Sequence, residues 1–179
     1  MTSWYITVNS KAPEQGDFLN DVPIIVTEEH LVDINQKATP SIDTFDVIVL
    51  TQSCDLINNN KVSQVQLAPV YTLKELIARY PKWNDIDKLN NMRRNNVVRY
   101  HLLNNNHSSM FVKRGYLVID FGNIRSIPVK TLFALCGKQR RRLRLNSPYL
   151  EQMSQQLARF YMRVGLPNDI PNFKHKLIL

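Results

Sequence analysis

Small polar side chains gather directly after an apolar segment in the first third of the chain. The segment Val47-Ile48-Val49-Leu50 is typical of a short buried strand. Hydroxyl, thiol and carboxylate groups at the end of such a strand can form a catalytic or binding site. They can equally cap the next turn, because Ser and Asp side chains bond nearby backbone N–H groups. Both interpretations stay open for the catalytic candidates, which are Thr51, Ser53, Cys54 and Asp55. Gln52 lies in the same strand-end cluster.

Cys54 would act as a nucleophile only with a base beside it. The histidines are all distant from it in sequence: His30, His101, His107 and His175. Nothing in the sequence brings one of them close, so we expect Cys54 to be a buried, inert thiol. A zinc site combining Cys54, Cys136, His101 and His107 lacks a close Cys pair. The chain also has only five glycines and no Gly-rich phosphate loop, so we expect neither a metal nor a cofactor.

Charge is distributed unevenly along the 179 residues. The chain carries a net charge of +8, yet residues 82–144 hold fourteen Lys or Arg and three Asp, a net of +11. Residues 1–81 hold five Lys or Arg and ten Asp or Glu, a net of −5. Such a charge asymmetry suits a polyanion on one face, an acidic protein partner, or head-to-tail self-association into an oligomer.

The densest positive segment is Lys138-Gln139-Arg140-Arg141-Arg142-Leu143-Arg144. With earlier cations it can follow a phosphate backbone, while Tyr100, Phe111 and Tyr116 supply stacking faces for bases. The alternatives are that these aromatic residues belong to the core, and that the arginines form a solvated loop or pair with an acidic protein. The sequence favours nucleic acid and an acidic protein partner equally. The nucleic-acid candidates are Arg93, Arg94, Lys113, Arg114, Lys138, Arg140, Arg141, Arg142 and Arg144.

Alternation and turn residues predict a β-rich chain with helices. A polar loop or short helix is expected over residues 27–44, and a hairpin through Asn58-Asn59-Asn60. Thr72-Leu73-Lys74-Glu75 fits a capping box that begins a helix, and a short helix is expected near residues 85–92. The predicted strands cover residues 16–26, 46–51, 62–70, 97–103, 110–112 and 116–121. Residues 124–127 either continue the sheet or form a turn into Pro128.

The clearest predicted helix lies near the C-terminus, over residues 147–165. Ser147 fits its N-cap, Pro148 its first helical position and Gly165 its end. Apolar side chains recur at spacings of three and four, so we expect this face to pack on the core. These residues are Leu150, Met153, Leu157, Phe160, Tyr161 and Val164.

The order of these motifs resembles the PemK/MazF-like family of bacterial toxins, whose members share an SH3-like barrel. The matching segments are Gly16-Asp17-Phe18-Leu19, Val47 to Thr51, Leu67-Ala68-Pro69-Val70 and Val118 to Ile127, followed by Leu132. The resemblance implies an α+β fold: a small SH3-like β-barrel with an inserted helical segment and a C-terminal helix. Residues 1–179 would form a single domain, with the barrel over about 1–71 and 97–135 and the insertion over about 72–96.

One departure from the family bears on activity. Family members that cleave RNA carry an Arg-Pro pair just before the central strand, where this chain has Phe45-Asp46. The cation that would stabilise a cleavage transition state is therefore missing there. The resemblance implies a nucleic-acid-binding protein, for RNA rather than DNA, in a toxin–antitoxin or phage-defence setting. The alternative is a non-catalytic adaptor that docks partner proteins in a larger defence assembly, and the sequence leaves enzymatic activity open.

The expected location is the cytoplasm. No apolar segment approaches the ~20 residues of a membrane span, and the N-terminus shows no basic segment before an apolar one. The two cysteines are not spaced as a redox or zinc pair, which fits a reduced compartment.

Overall fold

Strands and helices alternate in an α+β fold. The computed structural model describes residues 3–26, 40–57 and 61–162, and within them lie eight strands and five α-helices. The strands are β1 (Tyr5–Asn9), β2 (Phe18–Val26), β3 (Ser41–Val49), β4 (Gln64–Thr72), β5 (Tyr100–Asn106), β6 (Gly115–Asp120), β7 (Arg125–Pro128) and β8 (Arg141–Leu145). The helices are α1 (Ser53–Ile57), α2 (Leu73–Arg79), α3 (Ile86–Arg93), α4 (Val129–Lys138) and α5 (Tyr149–Tyr161).

Strand β4 lies at the centre of the larger sheet, which has the order β2-β3-β4-β6-β5. One edge of β4 pairs antiparallel with β3, and the opposite edge pairs first with β7 and then with β6. A 3₁₀ turn, Phe121–Asn123, separates β6 from β7. The buried Asp120 holds this turn by accepting hydrogen bonds from Gly122 N at 2.9 Å and from Arg99 Nε at 2.8 Å.

Strands β1 and β8 form a separate antiparallel ribbon. A single bridge between Asp17 and Arg144 joins it to the start of β2. The structure shows the α+β class and the antiparallel sheets that the sequence predicts. The pairing of the described strands does not close into a barrel, so the predicted SH3-like barrel is not confirmed.

Apolar side chains pack on both faces of the larger sheet. One cluster, which includes Phe18, Phe111 and Met153, lies between the sheet and α5. A second cluster includes Leu19 of β2 and Leu132 of α4. Burial of this extent is the main favourable contribution to folding.

The capping signals in the sequence are confirmed for α2 and α3. Thr72 Oγ1 accepts from Glu75 N at 3.0 Å, while a Glu75 carboxylate oxygen accepts from Thr72 N at 2.6 Å. Asp85 caps α3 by accepting from the backbone N–H groups of Asp87 and Lys88. Short-range signals succeed here because both partners lie within one turn.

Several predicted elements are wrong. Residues 110–112 form no strand, because Ser108 Oγ and Asn20 Oδ1 accept the backbone N–H groups of Met110 and Val112. Residues 41–44 belong to β3 and not to the predicted loop or short helix, and residues 141–145 form β8, for which the sequence predicts no element. The helix α4 was not predicted. Residues 27–39 and the hairpin at residues 58–60 lie outside the described residues.

The C-terminal helix is confirmed with different boundaries. Pro148 occupies the N-cap position and Ser147 does not cap the helix. Met153 is fully buried, whereas Tyr161 is 53% exposed, so only part of the predicted stripe packs on the core. Val164 and Gly165 lie outside the described residues.

A buried ion cluster ties the ribbon to the larger sheet. Asp17 is fully buried, and its carboxylate accepts from Arg142 Nε at 2.8 Å and from Arg144 Nε at 2.5 Å. The Arg142 guanidinium also donates to the carbonyls of Ser10 and Ala12. Every charged group of the cluster is therefore paired and hydrogen-bonded, as burial of charge requires.

We predict that Asp17→Asn lowers the free energy of unfolding by roughly 3–5 kcal/mol, because it leaves the buried Arg142 without its counter-charge. Urea unfolding followed by circular dichroism measures the change. The control is Asp43→Asn on the exposed part of β3, which should stay within about 0.5 kcal/mol of the parent protein. A loss below about 1 kcal/mol for Asp17→Asn would show that the cluster does not stabilise the fold.

Candidate functional site

The two hydroxyl groups of the strand-end cluster hold backbone. Thr51 Oγ1 accepts a hydrogen bond from Gln66 N at 2.8 Å, which ties the end of β3 to β4. Ser53 Oγ accepts from Gln15 N at 3.1 Å. Each hydroxyl therefore satisfies a backbone donor of a distant segment, which is a structural role different from the predicted cap of the next turn.

Cys54 and Asp55 lie in the first turn of α1 and reach the surface. The prediction that Cys54 is buried is wrong, since the short helix turns Leu56 toward the core and Cys54 away from it. Asp55 accepts from Lys61 Nζ at 2.6 Å, and this hydrogen bond holds the pKa of the carboxyl below its usual range. The Cys54 thiol lies 3.6 Å from Gln52 Oε1 and 3.8 Å from Asp55 Oδ1, and no imidazole among the described residues activates it.

An open groove of about 590 Å³ runs beside this cluster. Neutral amides and hydroxyls dominate its polar lining, with Asp55 as the single acidic residue. Such a lining can donate and accept hydrogen bonds, but it holds neither a histidine nor a second carboxylate to pair with Asp55 in acid–base catalysis. The polar lining residues are Gln15, Thr51, Gln52, Asp55, Gln64, Gln66, Ser126, Ser154 and Tyr161.

The arginine run is divided between the interior and the surface. Arg142 is 1% exposed and the Arg144 side chain 12% exposed, and both bind Asp17. Alternation along β8 turns these two side chains inward. Lys113 is similarly neutralised by Glu75 at 2.6 Å and Asp46 at 3.4 Å. The sequence predicts all three cations as nucleic-acid-binding residues. In the structure they are paired with carboxylates inside the fold and do not present free charge to a phosphate.

The other predicted cations are exposed at separate places. Arg93 and Arg94 end α3, and Arg114 precedes β6. The turn between α4 and β8 carries the remaining three, which are Lys138, Arg140 and Arg141.

Only one of the three predicted stacking residues is accessible. Tyr100 is 5% exposed and Phe111 is fully buried, so both belong to the core as the alternative interpretation had it. Tyr116 is 50% exposed on β6. Its neighbour in sequence, Gly115, has a φ of +90°, a conformation that favours glycine, at the entry to the strand.

Tyr116 lies between two hollows, and each hollow is lined by at least one cationic side chain. On one side it lines a cavity of about 520 Å³ together with Arg93. On the other side it lines a shallower hollow of about 360 Å³ together with Arg114 and Lys74. We call these four residues the Tyr116 surface. An exposed ring flanked by cations is the combination that binds unpaired bases and their phosphates.

His101, which the sequence offers only as a base for Cys54 or as a zinc ligand, lines the larger hollow. His101 on β5 is 1% exposed, and neither ring nitrogen has a hydrogen-bond partner among the described residues. Burial lowers its pKa to about 4, so the imidazole is neutral at pH 7. We call this space the His101 cavity. The sequence gives little indication that His101 lines a cavity, because a lone His in a strand is typical of the core as well as of a site.

Neither a family model nor a curated protein sequence matches this chain. Within the described residues, no group of three His, Cys, Asp or Glu side chains is arranged to hold a metal ion. No helix in that part of the chain is long and apolar enough to cross a membrane.

The buried His101 predicts acid sensitivity. Its pKa is about 4 in the folded protein and 6.5 as its ordinary value, so between these values the unfolded state binds the extra proton. Above pH 6.5, titration of His101 therefore costs no stability. As the pH drops toward 4, the free energy of unfolding falls, and His101 accounts for up to about 3 kcal/mol of this fall. We expect His101→Phe to flatten the pH dependence of the unfolding free energy over this window. The same substitution at the exposed His107 is the matched control, and equal slopes in all three proteins would contradict the prediction.

The strand-end cluster predicts a silent substitution. The Asp55–Lys61 pair lies at the surface, where an ion pair contributes little, so Asp55→Asn should change the melting temperature by less than about 2 °C. Cys54→Ser should leave nucleic-acid binding unchanged. Loss of binding or activity in either variant with an unchanged melt would instead place the cluster in a functional site.

Proposed function

We propose that the protein binds single-stranded nucleic acid, RNA rather than DNA, through the Tyr116 surface. The observation that carries this proposal is the half-exposed Tyr116 ring between Arg93 and the Arg114–Lys74 pair. Arg93 and Arg114 have no ion-pair partner among the described residues, so their charges are available to phosphate. The PemK/MazF-like resemblance supports RNA as the target and a toxin–antitoxin or phage-defence setting.

The energetics favour such a surface. A base stacked on an aromatic side chain contributes roughly 1–3 kcal/mol, and every base has a π face, so sequence matters little. The cations on either side of Tyr116 would track the phosphates that flank the stacked base. RNA cleavage is not part of the proposal, because the strand-end cluster has no activated nucleophile among the described residues and the Arg-Pro pair of cleaving relatives is replaced by Phe45-Asp46.

We also infer a divergent SH3-like barrel within a single domain of residues 1–179. Supporting this, Gly16-Asp17 directly precedes β2, and the central strand β3 ends just before Thr51, as the resemblance expects of a strand that ends in Ser or Thr. Pro69 lies inside β4, whereas the resemblance expects it near the end of a strand. The bent β6–β7 segment and the β1–β8 ribbon would then be the parts of the barrel that have opened.

The second candidate function is a non-catalytic adaptor that docks an acidic protein. The observation in its favour is the exposed cluster of Lys138, Arg140 and Arg141 at the turn before β8. Arg141 pairs with Asn9, whereas Leu145 pairs with Tyr5 at the other end of the ribbon. At about 3.3 Å a residue, this cluster lies roughly 13 Å along the ribbon from the Trp4 end, where the His101 cavity begins.

We expect Tyr116→Ala to weaken binding of a fluorescently labelled single-stranded 12-mer RNA by about 5- to 150-fold, because the stacking contact is lost. Arg93→Gln and Arg114→Gln should each lower the slope of log affinity against log salt by roughly 0.7, the value for one phosphate contact on a single strand. Fluorescence anisotropy at several salt concentrations measures both effects.

Arg141→Gln is the matched control, since it removes one exposed cation that lines neither hollow beside Tyr116. If Arg141→Gln weakens binding while Tyr116→Ala does not, the binding surface is at the α4–β8 turn. If the parent protein binds no RNA at low salt but co-purifies with an acidic protein after nuclease treatment, the adaptor function replaces the proposal.

A further inference from the structure

The smaller of the two hollows beside Tyr116 arises where a strand gives way to a helix. Strand β4 pairs with β6 as far as Thr72 and Leu117, and the chain then turns into α2. Gly115 and Tyr116, which precede Leu117 on β6, therefore border α2 on this side instead of a strand. The space between them has a volume of about 360 Å³, within the range of about 300–1,000 Å³ typical of small-molecule sites. We call it the α2–β6 hollow.

Aliphatic side chains of α2 form the floor of this hollow. Leu73 and Ile77 are four residues apart, so they lie on one face of the helix. Both are partly buried and pack against the core cluster that contains Val118 of β6. The core therefore holds the floor in place, while the accessible part of each side chain lines the hollow. Burial of this apolar surface by a ligand is favourable.

The Tyr116 side chain separates the α2–β6 hollow from the larger hollow that Arg93 lines, because it belongs to the lining of both. The register of β5 against β6 shifts opposite Tyr116, where Asn104 is the extra residue of a β-bulge. The Asn104 carbonyl accepts a hydrogen bond from the Tyr5 hydroxyl at 2.6 Å, which holds the bulge. Bulges redirect side chains and are frequent beside functional sites.

The charge of the lining specifies the kind of occupant. Lys74 and Arg114 are exposed, have no ion-pair partner among the described residues and share the hollow with no carboxylate. The Arg114 guanidinium donates to the His107 carbonyl at 3.3 Å, which positions it. The Thr72 hydroxyl already accepts from the backbone N–H that follows in the capping box. The hollow therefore suits an anion with a flat apolar face, and it offers few groups that would read the edge of a base.

We propose that the α2–β6 hollow binds one base of the RNA strand, and that the Tyr116 ring inserts between this base and the next one. The next base lies on the Arg93 side of the ring. The inference rests on the proposed function and goes beyond it, since the smallest ligand becomes two adjacent nucleotides. One base packs its faces on Tyr116 and Ile77, while Lys74 and Arg114 bind the flanking phosphates. Contacts to base faces tolerate every base, so we expect little sequence preference.

The test compares three labelled uridine 12-mers by fluorescence anisotropy with the full chain. One RNA has every base, and the second is abasic at alternate nucleotides. The third has pairs of uridines separated by pairs of abasic nucleotides, so it has as many bases as the second but keeps neighbours together. The alternating RNA should bind about 5- to 150-fold more weakly than the complete RNA, because one of two stacking contacts is lost. The paired RNA should bind much closer to the complete RNA, because it still offers adjacent bases.

The variant Ile77→Ala assigns this difference to the hollow. It should weaken binding of the complete and paired RNAs by about 3- to 10-fold, because apolar contact with the base is lost. Its effect on the alternating RNA should be smaller, since the single base then has the other side of the ring. Ile86→Ala is the matched control, because Ile86 is 77% exposed on α3 and lines neither hollow. Circular dichroism checks that both variants are folded, and the comparison of RNAs on the parent protein needs no variant.

The outcomes separate this inference from the proposed function. Equal binding of the alternating and paired RNAs would overturn the inference, and it would leave the proposed function standing where Tyr116→Ala still weakens the complete RNA. A complete RNA that does not bind, or that binds Tyr116→Ala as well as the parent protein, would overturn both. A preference for the paired RNA that a folded Ile77→Ala variant retains in full would place the second base outside the α2–β6 hollow and overturn the inference.

Discussion

The buried pairing of Asp17 with Arg142 and Arg144 is the interaction on which the rest of the structure depends. Asp17 stands at the entry to β2, and the two arginines lie on β8, more than a hundred residues later. Their ion pairs, together with the bonds from Arg142 to the Ser10 and Ala12 carbonyls, join the β1–β8 ribbon to the larger sheet. Since a buried charge is tolerated only with its partners in place, the cluster also specifies one register for the ribbon.

This cluster moves the centre of interest away from the arginine run. Because β8 turns alternate side chains inward, Arg142 and Arg144 neutralise a carboxylate and leave the surface. The ribbon also positions Trp4, whose ring stacks on Tyr149 at the start of α5. The aromatic wall of the His101 cavity is thus a consequence of the same long-range pairing that buries the arginines.

The strand-end cluster and the His101 cavity show how differently polar groups behave in one fold. Thr51 and Ser53 each satisfy a backbone N–H of a distant segment, so their role is structural. His101 has no such partner among the described residues and lies against a cavity with a cation at its rim. The unpaired imidazole costs stability, whereas the two hydroxyls satisfy donors that would otherwise be unpaired.

The sequence by itself determined the α+β class, the capping of α2 by Thr72 and Glu75, and the amphipathic C-terminal helix, because these depend on residues within a few positions of each other. It did not determine which charges are free, since the partner of Arg142 is 125 residues away in the chain. Nor did it predict β8, because a run of arginines is also typical of a solvated loop. Only the distant Asp17 allows Arg142 and Arg144 to be buried in a strand. The exposure of Tyr116 and the burial of His101 were likewise decided by tertiary packing, because identical residue types occupy core and surface alike and only the packing of distant elements separates them.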